Sequence, residues 1–167
     1  PDEALPVLQR AMVLGAPAGA IAEQWGVALD LLGRQRDAQI AYGEALQVLP
    51  NDRQATRNLA LSLAISGDGA AALHLLQRYV EEADASDIRR TLAFVKALTG
   101  DFQGAVEIAG KSFPAPEAKT LSMIFARLPD LSNRDKAAAA LFGRLPANAA
   151  AARSDPEAIL ELPGQPA

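Results

Sequence analysis

Residues 31–50 read LLGRQRDAQIAYGEALQVLP. Gly33 interrupts an apolar run, Ala38 and Tyr42 follow one helical turn apart, then come Ala45 and Pro50. This is the pattern of two helices joined at Gly33, because a helix ends cheaply on a residue that takes the left-handed conformation without a Cβ. Ala38 is small where the two helices cross, and Tyr42, at i+4, fills the space beside it. Ala45 lets a following helix approach, and Pro50 cannot continue a helix, so it separates this pair from the next. Upstream, Trp25 and Gly26 form a large-small pair suited to interdigitated packing.

The same pattern returns along the chain. Steps of 34 and 33 residues from Gly33 lead to Gly67 and Gly100. From Ala4 the same spacing leads to Ala38, Ala72 and Ala105, and from Leu8 to Tyr42, Leu76 and Ala109. Ala is common in this chain, so the glycine column is what separates the register from chance. A period of about 34 is that of the tetratricopeptide repeat, a helix-turn-helix unit. The expected fold is therefore all-α: a tetratricopeptide-repeat solenoid of antiparallel helix pairs, with extra helices at the C-terminus.

The expected map follows from that register. Residues 2–14 read as the second helix of a unit whose first helix is missing. Residues 18–32 with 36–49, 52–66 with 68–83, and 86–99 with 101–112 read as three units, so that 1–112 form the repeat array. Asp68 and Asp101 follow turn glycines as N-caps. The third unit is degraded, with Ala109 in the aromatic column and Gly104 and Gly110 weakening its second helix. Residues 113–145 read as helices packed on the array. After the break at Ser112-Phe113-Pro114-Ala115-Pro116 comes a helix over 117–128, with Leu121, Ile124, Phe125 and Leu128 on one face. It is expected to stack as the first helix of an incomplete fourth unit. Ser132 with Asp135 resembles a capping box opening a short Ala-rich helix that runs to about Phe142. Residues 146–167 read as an Ala/Pro-rich tail, mobile or weakly helical, with 156–162 as a candidate docking segment.

Composition narrows the function classes. At 167 residues the chain fits one domain, 50% hydrophobic but only 5% aromatic, with Ala and Leu supplying most of the apolar content. A net charge of -4 and the lack of a basic run argue against nucleic acid as a partner. No cysteine is present, which excludes disulfides, thiol catalysis and Cys-ligated metal. No apolar run reaches the roughly 18 residues of a spanning helix, so no membrane insertion is expected. The chain begins at Pro1 without a signal-peptide pattern, which reads as a mature form or a piece of a longer protein, with any anchor upstream.

No catalytic constellation stands out, and no cofactor is expected. His74 is the single histidine, which excludes a multi-histidine metal site and a His-based triad; its position reads as solvated or structural. Glu81, Glu82, Asp84 and Asp87 read as a solvated helix end and linker rather than a cation site. Gly67-Asp68-Gly69 lacks the following Gly-Lys-Ser/Thr of a phosphate loop, so a turn is the better reading. Trp25 and Tyr42 take core positions.

The informative columns lie on the first helices, which line the inner face of such a solenoid. Glu23, Arg57 and Arg90 form a charged row, and Val27, Leu61 and Phe94 an apolar stripe four residues along; Asp30 stands one turn beyond Val27. Together these seven residues are the expected groove for a protein or peptide segment. The alternative is a face covered by missing helices or by the chain's own C-terminus. Val27 and Leu61 stand where a clamp for a C-terminal carboxylate needs polar groups, which disfavours that mode. A second copy is also a candidate partner for the apolar end of the array.

Two longer stretches carry a family resemblance. RNLALSLAISGDGAAALHLLQR, then RRTLAFVKALTGDFQGAVEIAGKSFPAPEAKTLSMIFARL, resembles the TadD-type lipoproteins of the tight-adherence (Flp) pilus system over residues 20 to 128. The matching features are Asn58-Leu59-Ala60-Leu61, Gly100-Asp101-Phe102 and the Phe113-Pro114 break. The resemblance implies a periplasmic factor at the outer membrane that assembles or localises a pilus secretion pore, with pore components as partners. The family's acylated cysteine is absent from this chain, and no catalytic residues carry over. A cytoplasmic adaptor, co-chaperone or regulatory interaction domain is the alternative; an enzyme has no nucleophile-base pair to support it.

Overall fold

The computed structural model describes residues 3–15, 17–80 and 85–147. The segments 81–84 and 148–167 lie outside it, and with them the docking segment 156–162 and the linker acids Glu81, Glu82 and Asp84. The chain is all-helical over the described residues. Its helices are α1 (Ala4–Val13), α2 (Ala18–Leu31), α3 (Gln35–Val48), α4 (Arg53–Ile65), α5 (Gly69–Gln77), α6 (Ser86–Leu98), α7 (Phe102–Ser112), α8 (Ala115–Phe125) and α9 (Asn133–Phe142), with a 3-10 turn at Leu128–Asp130 between the last two.

Three turns are built alike. Gly33, Gly67 and Gly100 have φ of 78°, 95° and 91°. At each, the residue after the glycine donates its N–H five residues back: Arg34 to Leu29 at 2.9 Å, Asp68 to Leu63 at 2.9 Å, Asp101 to Lys96 at 2.8 Å. This is the Schellman closure, which satisfies helix carbonyls that otherwise face no donor. Asp68 and Asp101 then cap α5 and α7 through the N–H groups of Ala71 and Gly104, at 3.1 and 2.9 Å.

Each turn folds a helix back on its predecessor. Within the first pair a side chain on Gly19 would meet Val48, Gly26 meets Tyr42, and Gln35 reaches the Asp30 carbonyl, so residue numbers rise on one helix as they fall on the other. Ala38 and Tyr42 are fully buried, as are Ala72, Leu76, Ala105 and Ala109 in the corresponding columns. The gap that Tyr42 fills is at Gly26: a β-carbon there would lie 2.5 Å from the Tyr42 ring. The small residue that matters most to Tyr42 is thus on the facing helix, not one turn away on its own.

Two boundaries differ from the sequence expectation. The second helix of the middle unit stops at Gln77, where the Tyr79 N–H turns back to the Leu76 carbonyl at 2.9 Å and the Tyr79 side chain enters the core. Arg78 lies over the Tyr79 ring and donates to the Pro50 carbonyl at 3.1 Å, tying this turn to the preceding inter-unit loop. The break before α8 is also shorter than expected. Pro114 is its N-cap residue and Pro116 sits in its first turn, where a missing N–H costs nothing.

Consecutive helices pack on one another from α1 to α8. α2, α4, α6 and α8 also contact their neighbours in that series, so they share one side of the stack. α8 packs on α7 and α6 and buries Leu121, Ile124 and Phe125. α9 does not continue the stack. It returns across it and packs on α2 and α4. It starts at the turn end, where Arg134 lies 3.9 Å from a β-carbon on Gly33, and ends at Gly143, beside the Arg90 guanidinium.

Candidate functional site

The face shared by α2, α4, α6 and α8 is the place where the sequence locates a groove. Of the seven residues expected there the structure buries Leu61, Phe94 and Asp30, while Glu23, Val27, Arg57 and Arg90 stay half-buried. Leu61 and Phe94 are buried in the main core, and Phe94 packs edge-on against Phe125 with ring centroids 5.1 Å apart. Val27 alone of the apolar stripe stays half-buried, and it lines a cleft of about 400 Å³ between α1 and α2 with Val7, Leu8 and Leu31. The stripe reads as groove-lining in the sequence because the first helices carry two apolar faces. Only packing decides that Leu61 and Phe94 are enclosed in the main core, where Phe94 meets Phe125 of α8.

The charged row is likewise occupied by the fold itself. Glu23 accepts a hydrogen bond from the Asn58 amide at 3.1 Å, which joins α2 to α4. Arg57 donates to the Thr91 hydroxyl at 3.0 Å and pairs with Asp87 at 3.5 Å, which joins α4 to α6. Arg53 strengthens the same joint through Asp87 at 2.5 Å. Arg90 pairs with Glu117, which joins α6 to α8, and stacks on the Phe113 ring at 4.9 Å. The row is therefore a ladder of cross-unit links, one per joint. Its electrostatics follow from partial enclosure. Burial, and after it Asp52, raises the Glu23 carboxyl, opposed by Arg57. Burial lowers the Arg57 guanidinium, offset by Asp87.

Asp30 is the largest departure from the sequence reading, which puts it in the groove. It is 1% exposed. Its carboxylate accepts from the Ser62 hydroxyl at 2.8 Å and the Tyr42 phenol at 3.1 Å, while Gln35 donates to its carbonyl at 3.2 Å. One buried carboxylate thus ties α2, α3 and α4 together. Burial pushes this carboxyl up to about 6, with the two hydrogen bonds acting the other way. Burial, and then the neighbouring Asp30, also raises the Tyr42 phenol. The signal for this cluster was present: a buried Tyr hydroxyl needs a partner, and Asp30 is the acid at the end of the facing helix.

A pH prediction follows from this carboxyl. A folded-state value above the unfolded one means the native state holds its proton more tightly. The contribution of Asp30 is then complete below about pH 4 and is lost as pH rises through about 6. Asp30→Asn removes the buried charge and keeps the shape: its amide oxygen accepts one of the two bonds and its NH2 donates to the other hydroxyl. The variant should gain on the natural chain by roughly 1–3 kcal/mol between pH 4 and pH 7.5. Urea unfolding of both chains at the two pH values measures this; a difference that does not change with pH would refute it.

No family model matches this chain, and no curated protein or solved structure matches it. The local chemistry therefore carries the argument. Among the described residues no group of three His, Cys, Asp or Glu side chains is placed to hold a metal ion. His74 is exposed on α5. Among the described residues no helix is long and apolar enough to cross a membrane.

Two features of the surface remain. One is an apolar groove of about 310 Å³ between α2 and α3, lined by Ile21, Ala22, Trp25, Ala41 and Val48. Trp25, read as core from the sequence, is only half-buried and forms its wall. The other is the side of α2 and α4 on which α9 packs. The buried helical residues of α9 are Ala137, Ala139 and Ala140, while Phe142 is 55% exposed. Leu141 is partly buried beside them. Three methyl groups stabilise by about 0.8 kcal/mol each, against about 1.5–3 kcal/mol for each large side chain that α8 buries.

Proposed function

We propose that this chain is a non-enzymatic tetratricopeptide-type scaffold for protein–protein interaction. We further propose that it serves as an assembly or localisation factor of a bacterial tight-adherence pilus secretion system, acting in the periplasm at the outer membrane. The observation that supports the scaffold reading most is the triplicated glycine turn, spaced 34 and 33 residues apart and closed by the same hydrogen bond each time. Stacked units of that kind make an extended surface whose columns recur at a fixed spacing, which suits binding another polypeptide over its length.

The pilus reading rests on the likeness of residues 20 to 128 to the TadD-type lipoproteins, carried by Asn58-Leu59-Ala60-Leu61, Gly100-Asp101-Phe102 and Phe113-Pro114. The helix break that the likeness contains is where α8 begins, at Pro114. Deleting the gene in its own bacterium should abolish surface pili while leaving the cellular amount of pilin unchanged. Normal piliation in the deletion strain would reject the pilus role and leave the adaptor reading.

A further inference from the structure

We infer that the cleft between α1 and α2 is an open copy of the seat that α2 and α4 each fill inside the stack, and that it receives a partner protein's helix patterned like α4. This rests on the scaffold reading above and names where the scaffold binds and what it takes. The cleft is lined by Ala4, Val7 and Leu8 of α1 and by Gln24, Val27, Ala28 and Leu31 of α2. Each stands 34 residues before a residue of the seat that holds α2: Ala38, Ala41 and Tyr42 of α3, then Asn58, Leu61, Ser62 and Ile65 of α4. All of these later residues are buried, and α2 meets them through Gly26 against the Tyr42 ring, Glu23 on Asn58, and Asp30 on Ser62 and Tyr42. One step further along, Ala72, Leu76, Thr91, Phe94 and Val95 stand at the same columns around α4 and are buried too. In the cleft, Val7 is 67% exposed, Gln24 is exposed, and Ala4, Leu8, Val27 and Leu31 are half-buried. Columns that are covered twice within the stack are thus open at the α1 end.

The lining sets the pattern of the helix. Leu8 and Ala28 stand where Tyr42 and Ser62 hold the Asp30 carboxylate, so an acid at that column would be buried here without a donor. The α4 seat is the closer match: Leu76 and Val95 stand at those columns, and Ala60 and Ala64 of α4 share their core. The helix that fits therefore carries alanine-sized side chains at two positions four apart, which lets it approach α1 and α2 closely. Three residues before the first of them it carries a hydrogen-bonding side chain for Gln24, as Glu23 serves Asn58 and Arg57 serves Thr91. A second copy has no such helix to give without opening its own stack, because Ala60 and Ala64, and the residues at the same columns of α2 and α6, are buried there. Residues 148–167 contain no pair of alanines four apart. The occupant is a helix of another polypeptide, and it extends the α2–α4–α6 series by one member.

The test uses the full chain and a fluorescently labelled peptide of its residues 51–68, which carries the α4 pattern. The peptide should bind saturably, and a benzophenone amino acid in place of Val7 should cross-link to it. Val7→Glu, at an exposed side chain of α1, should weaken binding by about tenfold or more, because the bound helix would bury the new charge. A peptide with Ala60→Leu and Ala64→Leu, which keeps its helix propensity, should also bind about tenfold more weakly or worse. Failure to bind saturably, or binding that Val7→Glu leaves unchanged, overturns the inference. Equal binding of the leucine peptide overturns it as well, since plain apolar adhesion would do the same. If Val7→Glu loses helix content, the cross-link and the leucine peptide decide in its place. Cross-links from position 7 to residues 148–167 would assign the cleft to the chain's own tail, and dimers of the natural chain that Val7→Glu abolishes would assign it to a second copy; either overturns the partner assignment. None of these outcomes depends on piliation, so failure here and failure of the pilus role are separable.

Discussion

Phe94→Ala should lower the unfolding free energy by about 3–5 kcal/mol. Phe94 is fully buried, and its ring meets Phe125 at 89° and 5.1 Å, in the core that joins α4, α6 and α8. Removing the ring leaves a cavity among residues already held by helix packing on several sides, so little of the lost volume is recovered. The edge-to-face contact with Phe125 is lost as well, at about 0.5–1.5 kcal/mol. Equilibrium urea unfolding followed by circular dichroism would measure the effect, with an unchanged slope showing that the same surface is exposed on unfolding. A groove-lining Phe94 would behave differently: its truncation would cost less than about 1 kcal/mol and act on binding instead. The experiment therefore separates the buried position from the one suggested by its column with Val27 and Leu61.

Gly26→Ala should destabilise by about 2–3 kcal/mol, although Ala is the better helix former by about 1 kcal/mol. The new methyl would stand 2.5 to 2.8 Å from three carbons of the Tyr42 ring. Tyr42 has no room to retreat, because it is fully buried and its hydroxyl is bonded to Asp30. Overpacking costs about 1–3 kcal/mol, and a Tyr42 ring pushed out of line deprives the buried carboxylate of a donor at about 1–3 kcal/mol more. The double variant Gly26→Ala with Tyr42→Leu should be less destabilised than the sum of the two single changes, because a smaller side chain removes the collision. Thermal unfolding of the four chains in the cycle gives the coupling; strict additivity would show that Gly26 and Tyr42 do not share this contact.

Much of the helical plan was legible because each unit repeats its own local instructions. Gly33, Gly67 and Gly100 specify three turns, and Asp68 and Asp101 start two helices, through interactions that span only a few residues. Such contacts are encoded by residue type and spacing. The groove was less legible. The sequence ranks Glu23, Arg57 and Arg90 in a row, but a row of charges has the same spacing whether it faces a ligand or the next helix. The structure gives each of them a partner: Asn58, Thr91 with Asp87, and Glu117. Asp30 was displaced from groove to core for a related reason. Its partners Tyr42 and Ser62 lie on two other helices, and only the crossing of those helices brings them within reach.

What the sequence alone determined is the succession of helices and the three glycine turns, because backbone conformation and capping are decided by near neighbours. What only the tertiary structure decided is which faces stay open. α9 is alanine-rich and nearly uniform around its circumference, so its own residues do not point it anywhere. It packs on α2 and α4, and those two helices are neighbours only once the stack has formed.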